Sequence, residues 1–379
     1  MTDIVHCPII HGGLQLYFKN TDNTSALANH CCLRGDLFPI KAGDAVWNDS
    51  RLNELRQINL SGSWAKGCEN CRNLERTGLK SFRTGMLDRF GKHTNLPGPQ
   101  RLDLMFDTSC NLSCQTCGPD ASTTWQKYQL EHGDRTLPVD PVNRYEEVAE
   151  TLKNIDLSCL QQVVFCGGET LLGSAHWQVA KLLTEIADPS RITLSFQTNG
   201  TQPIPHKYYD LCQQFELVKL HFSLDAIEEQ FEYLRWPASW AQVTDNMSMI
   251  RDTAPDNVMF LIEETVSIFN LKYLDRLEKW IADNFSANRE GDATDHTRHL
   301  ANGDYQFSNM SNYYVDHMRD TDYGSLIPDD HFENIAKIHS MIGLIHIHDR
   351  RRKHDWKTVF PEVADFYRDY LKNSPQLPR

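Results

Sequence analysis

Residues 109–120 read SCNLSCQTCGPD and set Cys110, Cys114 and Cys117 at a Cys-x3-Cys-x2-Cys spacing. A disulfide uses two thiols, and a structural zinc ion usually takes four ligands in two separated pairs. Three close thiolates suit a centre that leaves one metal position open. The run just before them, RLDLMFDTS (101–109), is strand-like, so the thiols are expected on the loop at that strand's C-terminal end.

The segments that follow keep one rhythm. Helical EEVAETLKNI (146–155) precedes the apolar strand QQVVFCGGE (161–169), and helical HWQVAKLLTEIA (176–187) precedes the strand ITLSFQTNG (192–200). KYYDLCQQF (207–215), WAQVTDNMSMIRD (240–252) and LKYLDRLEKWIADNF (271–285) read as helices around the strands LVKLHFSLDA (217–226) and NVMFLIEETVS (257–267). Such alternation predicts parallel βαβ units. Five are readable, fewer than a closed eight-stranded barrel needs. A sixth strand is expected somewhere in the polar stretch 286–330, without a definite place. DDHFENIAKIHSMI (329–342) and EVADFYRDYLKN (362–373) read as closing helices.

Working outward to the N-terminus, GGLQLYFKN (12–20) alternates like a strand and DSRLNELRQINLSG (49–62) has helical spacing. KHTNLPGPQ (92–100) is rich in turn formers and marks a boundary. The expected organisation is α/β: a cysteine-rich domain over 1–98, a partial (β/α)6 TIM-like barrel over 99–285, and barrel completion with a helical region over 286–379.

The chain has 379 residues, 40% of them apolar, and a net charge of −13. That balance leaves no overall basic footprint for nucleic acid. MTDIVHCPIIHGG lacks the basic and apolar regions of a secretory signal, and no apolar run reaches membrane-spanning length. No membrane association and a cytoplasmic location are therefore expected. Eight of the eleven cysteines precede residue 118, and in a reducing compartment clustered thiols suit metal binding. Cys159, Cys166 and Cys212 are far apart and read as small buried hydrophobes.

In parallel α/β barrels the reactive groups sit at the C-terminal ends of strands. Here those ends carry the cysteine loop, FCGGETL (165–171), QTNG (197–200) and SLDA (223–226). Three thiolates can hold three irons of a [4Fe–4S] cube, leaving the fourth for a ligand with nitrogen and oxygen donors.

In these motifs and their order the chain resembles the radical S-adenosylmethionine (SAM) superfamily over roughly residues 101–270. The resemblance implies that Cys110, Cys114 and Cys117 ligate a SAM-binding [4Fe–4S] cluster and that Gly167, Gly168 and Glu169 line the SAM methionine amino group. It further implies that Gln197 and Asn199 face SAM, and that Ser223 and Arg235 reach its carboxylate and ribose. Arg235 reads equally as a surface ion-pair residue, and a structural zinc site is the alternative for the thiols. Thr116 departs from the family, which usually has an aromatic residue there to pack on adenine.

A second set of motifs, HCPIIHGGLQLYFKN (6–20), HCCLRG (30–35) and KGCENCRNLERTG (66–78), is similar to auxiliary-cluster domains of the twitch or SPASM type, placed before the barrel. The implied ligands of a second, auxiliary [4Fe–4S] cluster are Cys7, Cys68, Cys71 and one of the adjacent pair, with Cys32 preferred over Cys31. Zinc would use the same residues, and Cys7 reads alternatively as a buried thiol.

The resemblance implies an enzyme that cleaves SAM reductively to a 5′-deoxyadenosyl radical and abstracts hydrogen from a substrate. A ribosomally made peptide is the expected substrate, with a small molecule such as an amino sugar or amino acid as the alternative. A non-catalytic iron–sulfur or zinc protein is the other class. An electron donor such as flavodoxin or ferredoxin is the implied partner. If the reaction inverts a centre, Cys166, next to Gly167, is the candidate hydrogen donor; otherwise it is an inert buried thiol. His346 and His348, in LIHIHDRRRKHD (344–355), would share one face if the segment were a strand. They read otherwise as ordinary surface residues, and DRRRKH as a solvated helix end.

Overall fold

The computed structural model describes residues 5–18, 26–41, 43–76, 78, 80–136, 138–139, 143–285, 295–300, 312–319, 321, 327 and 334–368. Its frame is one nine-stranded mixed sheet in the order β3-β2-β1-β4-β5-β6-β7-β8-β9. The strands are β1 (Gly13–Phe18), β2 (Ala26–Asn29), β3 (Phe38–Ile40), β4 (Arg101–Met105), β5 (Gln162–Cys166), β6 (Thr193–Thr198), β7 (Leu217–Ser223), β8 (Val258–Val266) and β9 (Asp295–Leu300).

From β4 to β9 every neighbouring pair is parallel. The sixth strand of this run is β9, DHTRHL, paired to β8 through Leu261↔Asp295 to Val266↔Leu300. Only one of its six residues is apolar, so no alternation announces it. The N-terminal segment does not stand apart from this sheet. β1 pairs in parallel with β4, and β2 and β3 continue outward as antiparallel strands.

Helices fill the crossovers. In the N-terminal segment α1 (Pro8–Gly12), α2 (Ser50–Leu60), α3 (Glu69–Arg76) and α4 (Phe82–Phe90) surround the cysteines. Between β4 and β5 lie α5 (Thr123–Glu131) and α6 (Tyr145–Lys153), then α7 (Ala175–Ile186) and the short α8 (Tyr209–Cys212). α9 (Glu228–Leu234) and α10 (Trp240–Thr253) join β7 to β8, and α11 (Leu274–Phe285) follows. The chain closes with α12 (Asn312–Arg319), α13 (Ile335–Arg352), α14 (Trp356–Val359) and α15 (Pro361–Phe366). Of the expected closing helices, 329–333 and 369–373 lie outside the described residues. Among the described residues no helix is long and apolar enough to cross a membrane.

Strand alternation separates the two faces of the sheet. Leu102, Leu104, Val163, Phe165, Leu194, Phe196, Val218, Leu220, Phe222 and Ile262 are all fully buried and belong to one continuous core. Burying each such side chain contributes about 1.5–3 kcal/mol. The Trp177 ring of α7 meets the Phe196 ring at 4.7 Å.

Most of the alternate positions are polar. Arg101 pairs with Asp103 at 2.8 Å and donates to Gln162 Oε1 at 3.2 Å. Gln162 Nε2 donates to Ser195 Oγ at 3.3 Å, and His221 Nδ1 meets Glu263 Oε1 at 2.6 Å. A closed barrel fills its interior with branched aliphatic side chains; this face carries hydrogen-bonded and ionic ones instead.

The strand reading of 344–349 is corrected. His346 and His348 lie within α13, where two positions of separation turn the side chains about 200° apart. They cannot share a face. His348 instead packs inward, its Nδ1 at 2.8 Å from Tyr128 Oη of α5.

Candidate functional site

All the parallel strands end at one edge of the sheet, and the cysteine loop begins there, directly after β4. Its backbone is pinned at nearly every step. Ser113 N donates to Trp236 O at 2.8 Å and Gln115 N to Leu234 O at 2.7 Å. Trp125 Nε1 donates to Cys114 O at 2.9 Å, and Thr124 Oγ1 to Cys110 O at 2.7 Å. Within this frame Cys110 is half-buried, Cys114 buried and Cys117 exposed.

The glycines after β5 pack directly on this loop. Gly167 has φ +110°, and a Cβ there would lie 2.5 Å from Asp107 O. At Gly168 a Cβ would lie 2.1 Å from Ser109 O. Without side chains, the backbone comes close enough for Gly168 N to donate to Asp107 O at 2.9 Å and Glu169 N to Ser109 O at 2.8 Å. The motif therefore shapes the cysteine loop itself, whatever ligand lies above it.

Glu169 is buried, and its carboxylate accepts from Thr198 Oγ1 at 2.7 Å, Asn199 N at 2.6 Å and Leu171 N at 3.0 Å. Burial raises its pKa, and these three donors pull it back. It ties the end of β5 to the end of β6. Asn199 in turn reaches the loop, with Nδ2 3.1 Å from Asn111 Oδ1 and 3.9 Å from Cys110 Sγ.

From beyond β7 comes Arg235, a buried residue and not a surface one. Its Nη2 donates to Asp225 Oδ1 at 2.9 Å, and its Nη1 lies 4.0 Å from Cys114 Sγ. Burial works against the guanidinium charge, but Asp225 and the neighbouring thiols outweigh it and raise its pKa. Arg235 Nε and Asp225 Oδ2 are buried without a partner among the described residues. Such groups cost about 1–3 kcal/mol each unless a guest completes them.

Gln197 and Ser223, both half-buried, sit lower on the polar face, in register with His221 and Glu263 respectively. Asp225, Thr198 and the His221–Glu263 pair escaped the sequence reading. Asp225 and Thr198 lie in the quoted SLDA and QTNG motifs, which was the signal available for them; the His221–Glu263 pair had none.

Burial raises the Cys110 thiol to about 11 and raises Cys114 as well. Thiolates here need a compensating cation, and Arg235 supplies one. Among the described residues no three His, Cys, Asp or Glu side chains close on a point the size of one metal ion. A cubane is held differently, with one thiolate to each of several irons. Three thiols, a guanidinium at one of them and the Asn199 amide at another make a donor set that fits an anionic iron–sulfur cluster.

A cavity lies in the N-terminal segment, lined by Cys7, Cys31, Cys68 and Cys71 together with Arg34 and Arg83. Cys7 immediately precedes α1, Cys68 precedes α3 and Cys71 lies within it. Arg34 Nη1 is 3.6 Å from Cys68 Sγ. Burial raises Cys7 to about 11 and raises Cys68 against the pull of Arg34.

The cavity wall contains Cys31 and not Cys32. The Cys32 thiol lies near Asp103 and Arg101. A hydrogen bond between the two thiols raises Cys31 and lowers Cys32. Cys166, half-buried at the end of β5, has its thiol pKa raised by burial and feels Asp103, Arg101 and Cys32. Cys212 is buried and Cys159 half-buried.

Residues 106–268 match the sequence profile of the Radical SAM superfamily. No curated protein matches the chain at a significant level. Among solved structures, the chain is similar to native anSMEcpe with bound AdoMet at 15% identity and a TM-score of 0.40. That match covers 72% of this chain and 62% of the other, so the chain spans under two thirds of that relative's length. Streptococcus suis SuiB bound to precursor peptide SuiA is 10% identical with a TM-score of 0.38, covering 92% of this chain and 74% of the other. SuiB bound to S-adenosylmethionine is 11% identical with a TM-score of 0.39, covering 91% and 75%.

Proposed function

The chain carries a Radical SAM superfamily domain, the unit of SAM-dependent radical enzymes, and from that premise we propose that the pinned loop holds a [4Fe–4S] cluster through Cys110, Cys114 and Cys117. The observation that carries this reading is convergence. The three-cysteine loop, Gly167–Glu169 and Asn199 follow three successive strand ends, Arg235 caps α9 after the fourth, and all meet at one edge of the sheet. When bound there, the cluster would supply the single electron needed for reductive cleavage of SAM, the source of a hydrogen-abstracting 5′-deoxyadenosyl radical.

The chain's own residues hold and orient. Gly167 and Gly168 give SAM access to backbone groups, with Glu169 taking its amino group beside the bonds it already accepts, since each carboxylate oxygen accepts more than one. Arg235 and Ser223 take the carboxylate and ribose, and Gln197 and Asn199 complete the wall. Cys7, Cys31, Cys68 and Cys71 hold an auxiliary [4Fe–4S] cluster whose negative charge Arg34 and Arg83 offset. The substrate class that the sequence resemblance supports is a ribosomally made peptide, and flavodoxin or ferredoxin delivers the electron. Cys166, the last residue of β5 and the neighbour of Gly167, is the candidate hydrogen donor for a reaction that inverts a centre.

The test is anaerobic reconstitution followed by assay of 5′-deoxyadenosine from SAM under reduction. Wild type is expected to carry about eight irons per chain and to form 5′-deoxyadenosine. The combined Cys110→Ala, Cys114→Ala, Cys117→Ala variant should keep about half the iron and form none. Wild-type 5′-deoxyadenosine formation by that variant, or stoichiometric zinc without iron in the wild type, would refute the proposal.

A further inference from the structure

We propose that Arg352, the last residue of α13, is a positioning residue for the cysteine loop, so that the C-terminal helical region is part of the radical machinery. The proposal rests on the reading of that loop as the cluster site.

Arg352 is buried, 6% exposed. Its guanidinium carbon lies 5.2 Å from the Trp125 ring and 5.1 Å from each of the Tyr128 and Trp236 rings. From inside this aromatic box Nη2 donates to Ser113 O at 3.0 Å and lies 3.4 Å from Ser113 Oγ. Ser113 immediately precedes Cys114, the buried thiol of the three.

The walls of the box and the pins of the loop are the same residues. Trp125 Nε1 donates to Cys114 O, and Trp236 O accepts from Ser113 N. Arg352 therefore orders both indoles and the backbone segment they hold. α13 is seated to deliver it, since His348 meets Tyr128 at 2.8 Å and Asp349 accepts from Tyr233 Oη at 2.9 Å and Trp356 N at 2.8 Å.

A helix C-terminus favours a cation, and a fixed positive charge beside the loop stabilises its thiolates and the more reduced, more negative cluster. Arg suits the place because its planar fork both stacks on rings and aims a donor, which the ammonium of Lys does not.

Arg352→Met fills the box without charge or donor, and Arg352→Lys keeps the charge and a donor without the planar, ring-stacking fork. With anaerobically reconstituted full-length protein, four quantities are read. These are iron loss to a chelator, the midpoint potential of the cluster whose electron paramagnetic resonance signal changes on adding SAM, that signal's shape, and the apoprotein unfolding midpoint. Arg352→Met is expected to lose loop iron about tenfold faster or more, with a more negative potential and an altered signal, at an apoprotein midpoint near wild type. Arg352→Lys should recover the potential while still shedding iron faster than wild type.

Wild-type iron loss, potential and signal in Arg352→Met would overturn the proposal. If Arg352→Met does not fold, Arg352→Lys decides: wild-type iron loss there overturns it, and faster loss supports it. The Cys110, Cys114, Cys117 triple variant is run beside them. If it keeps all its iron, the reading of the loop has failed, and this proposal with it.

Discussion

Cys110, Cys114 and Cys117 come from a single loop, whereas the thiols lining the N-terminal cavity arrive separately, before α1, after β2 and around the start of α3. The loop's ligand set is local, because three spaced cysteines follow one strand, although distant residues pin its backbone. The cavity exists only once β1, β2 and the helices between Trp47 and Phe90 are packed. Charge compensation is non-local in both: Arg34 reaches Cys68 across 34 residues, and Arg235 reaches Cys114 across 121. Spacing thus proposes a ligand set where the chain is continuous, and tertiary packing chooses the ligands where it is not.

The sharpest way to break this comparison is at Gly168. An added Cβ would meet Ser109 O at 2.1 Å and backbone carbon at 2.7 Å, and backbone cannot swing away as a side chain tip does. Gly168→Ala is expected to destabilise by about 1–3 kcal/mol and to strip iron from the loop while the cavity keeps its own. Gly173→Ala, with open space at the same position, is the control and should stay within about 0.5 kcal/mol of wild type. Equal iron in Gly168→Ala and wild type would show that the two backbones do not depend on this contact.

The next effect tests the cavity. Cys31→Ala should remove the auxiliary iron, and Cys32→Ala should leave it in place, as measured by iron content and visible absorption after reconstitution. The reverse outcome would return Cys32 to the ligand set.

The smallest expected effect is in acid. Burial pushes His348 down to about 4, so the unfolded chain binds a proton near 6.5 that the folded chain refuses until about 4. This contribution to stability is present above about pH 6.5 and is lost as pH falls toward 4. The urea midpoint should decline through that window, and His348→Gln should make the decline shallower. Burial of His30 and His11, both pushed to about 4, acts in the same direction in the N-terminal region. An identical slope in His348→Gln and wild type would remove His348 from the account.

By itself the sequence determined the parallel βα rhythm, because apolar alternation and helical spacing recur locally from 101 to 285. It also determined where the loop thiols, Gly167–Glu169 and Asn199 would sit, because a strand end is visible as the point where alternation stops. Only the tertiary structure decided that β9 completes the parallel run, since a polar strand owes its place to the backbone of β8. It alone joined the N-terminal segment to the same sheet through β1 and β4, and turned Cys31, and not Cys32, into the cavity. And it placed Arg352 against Ser113 across 239 residues. Local pattern encodes which face of an element is buried; which distant element covers that face is set by the packing of the whole chain, where no spacing rule applies.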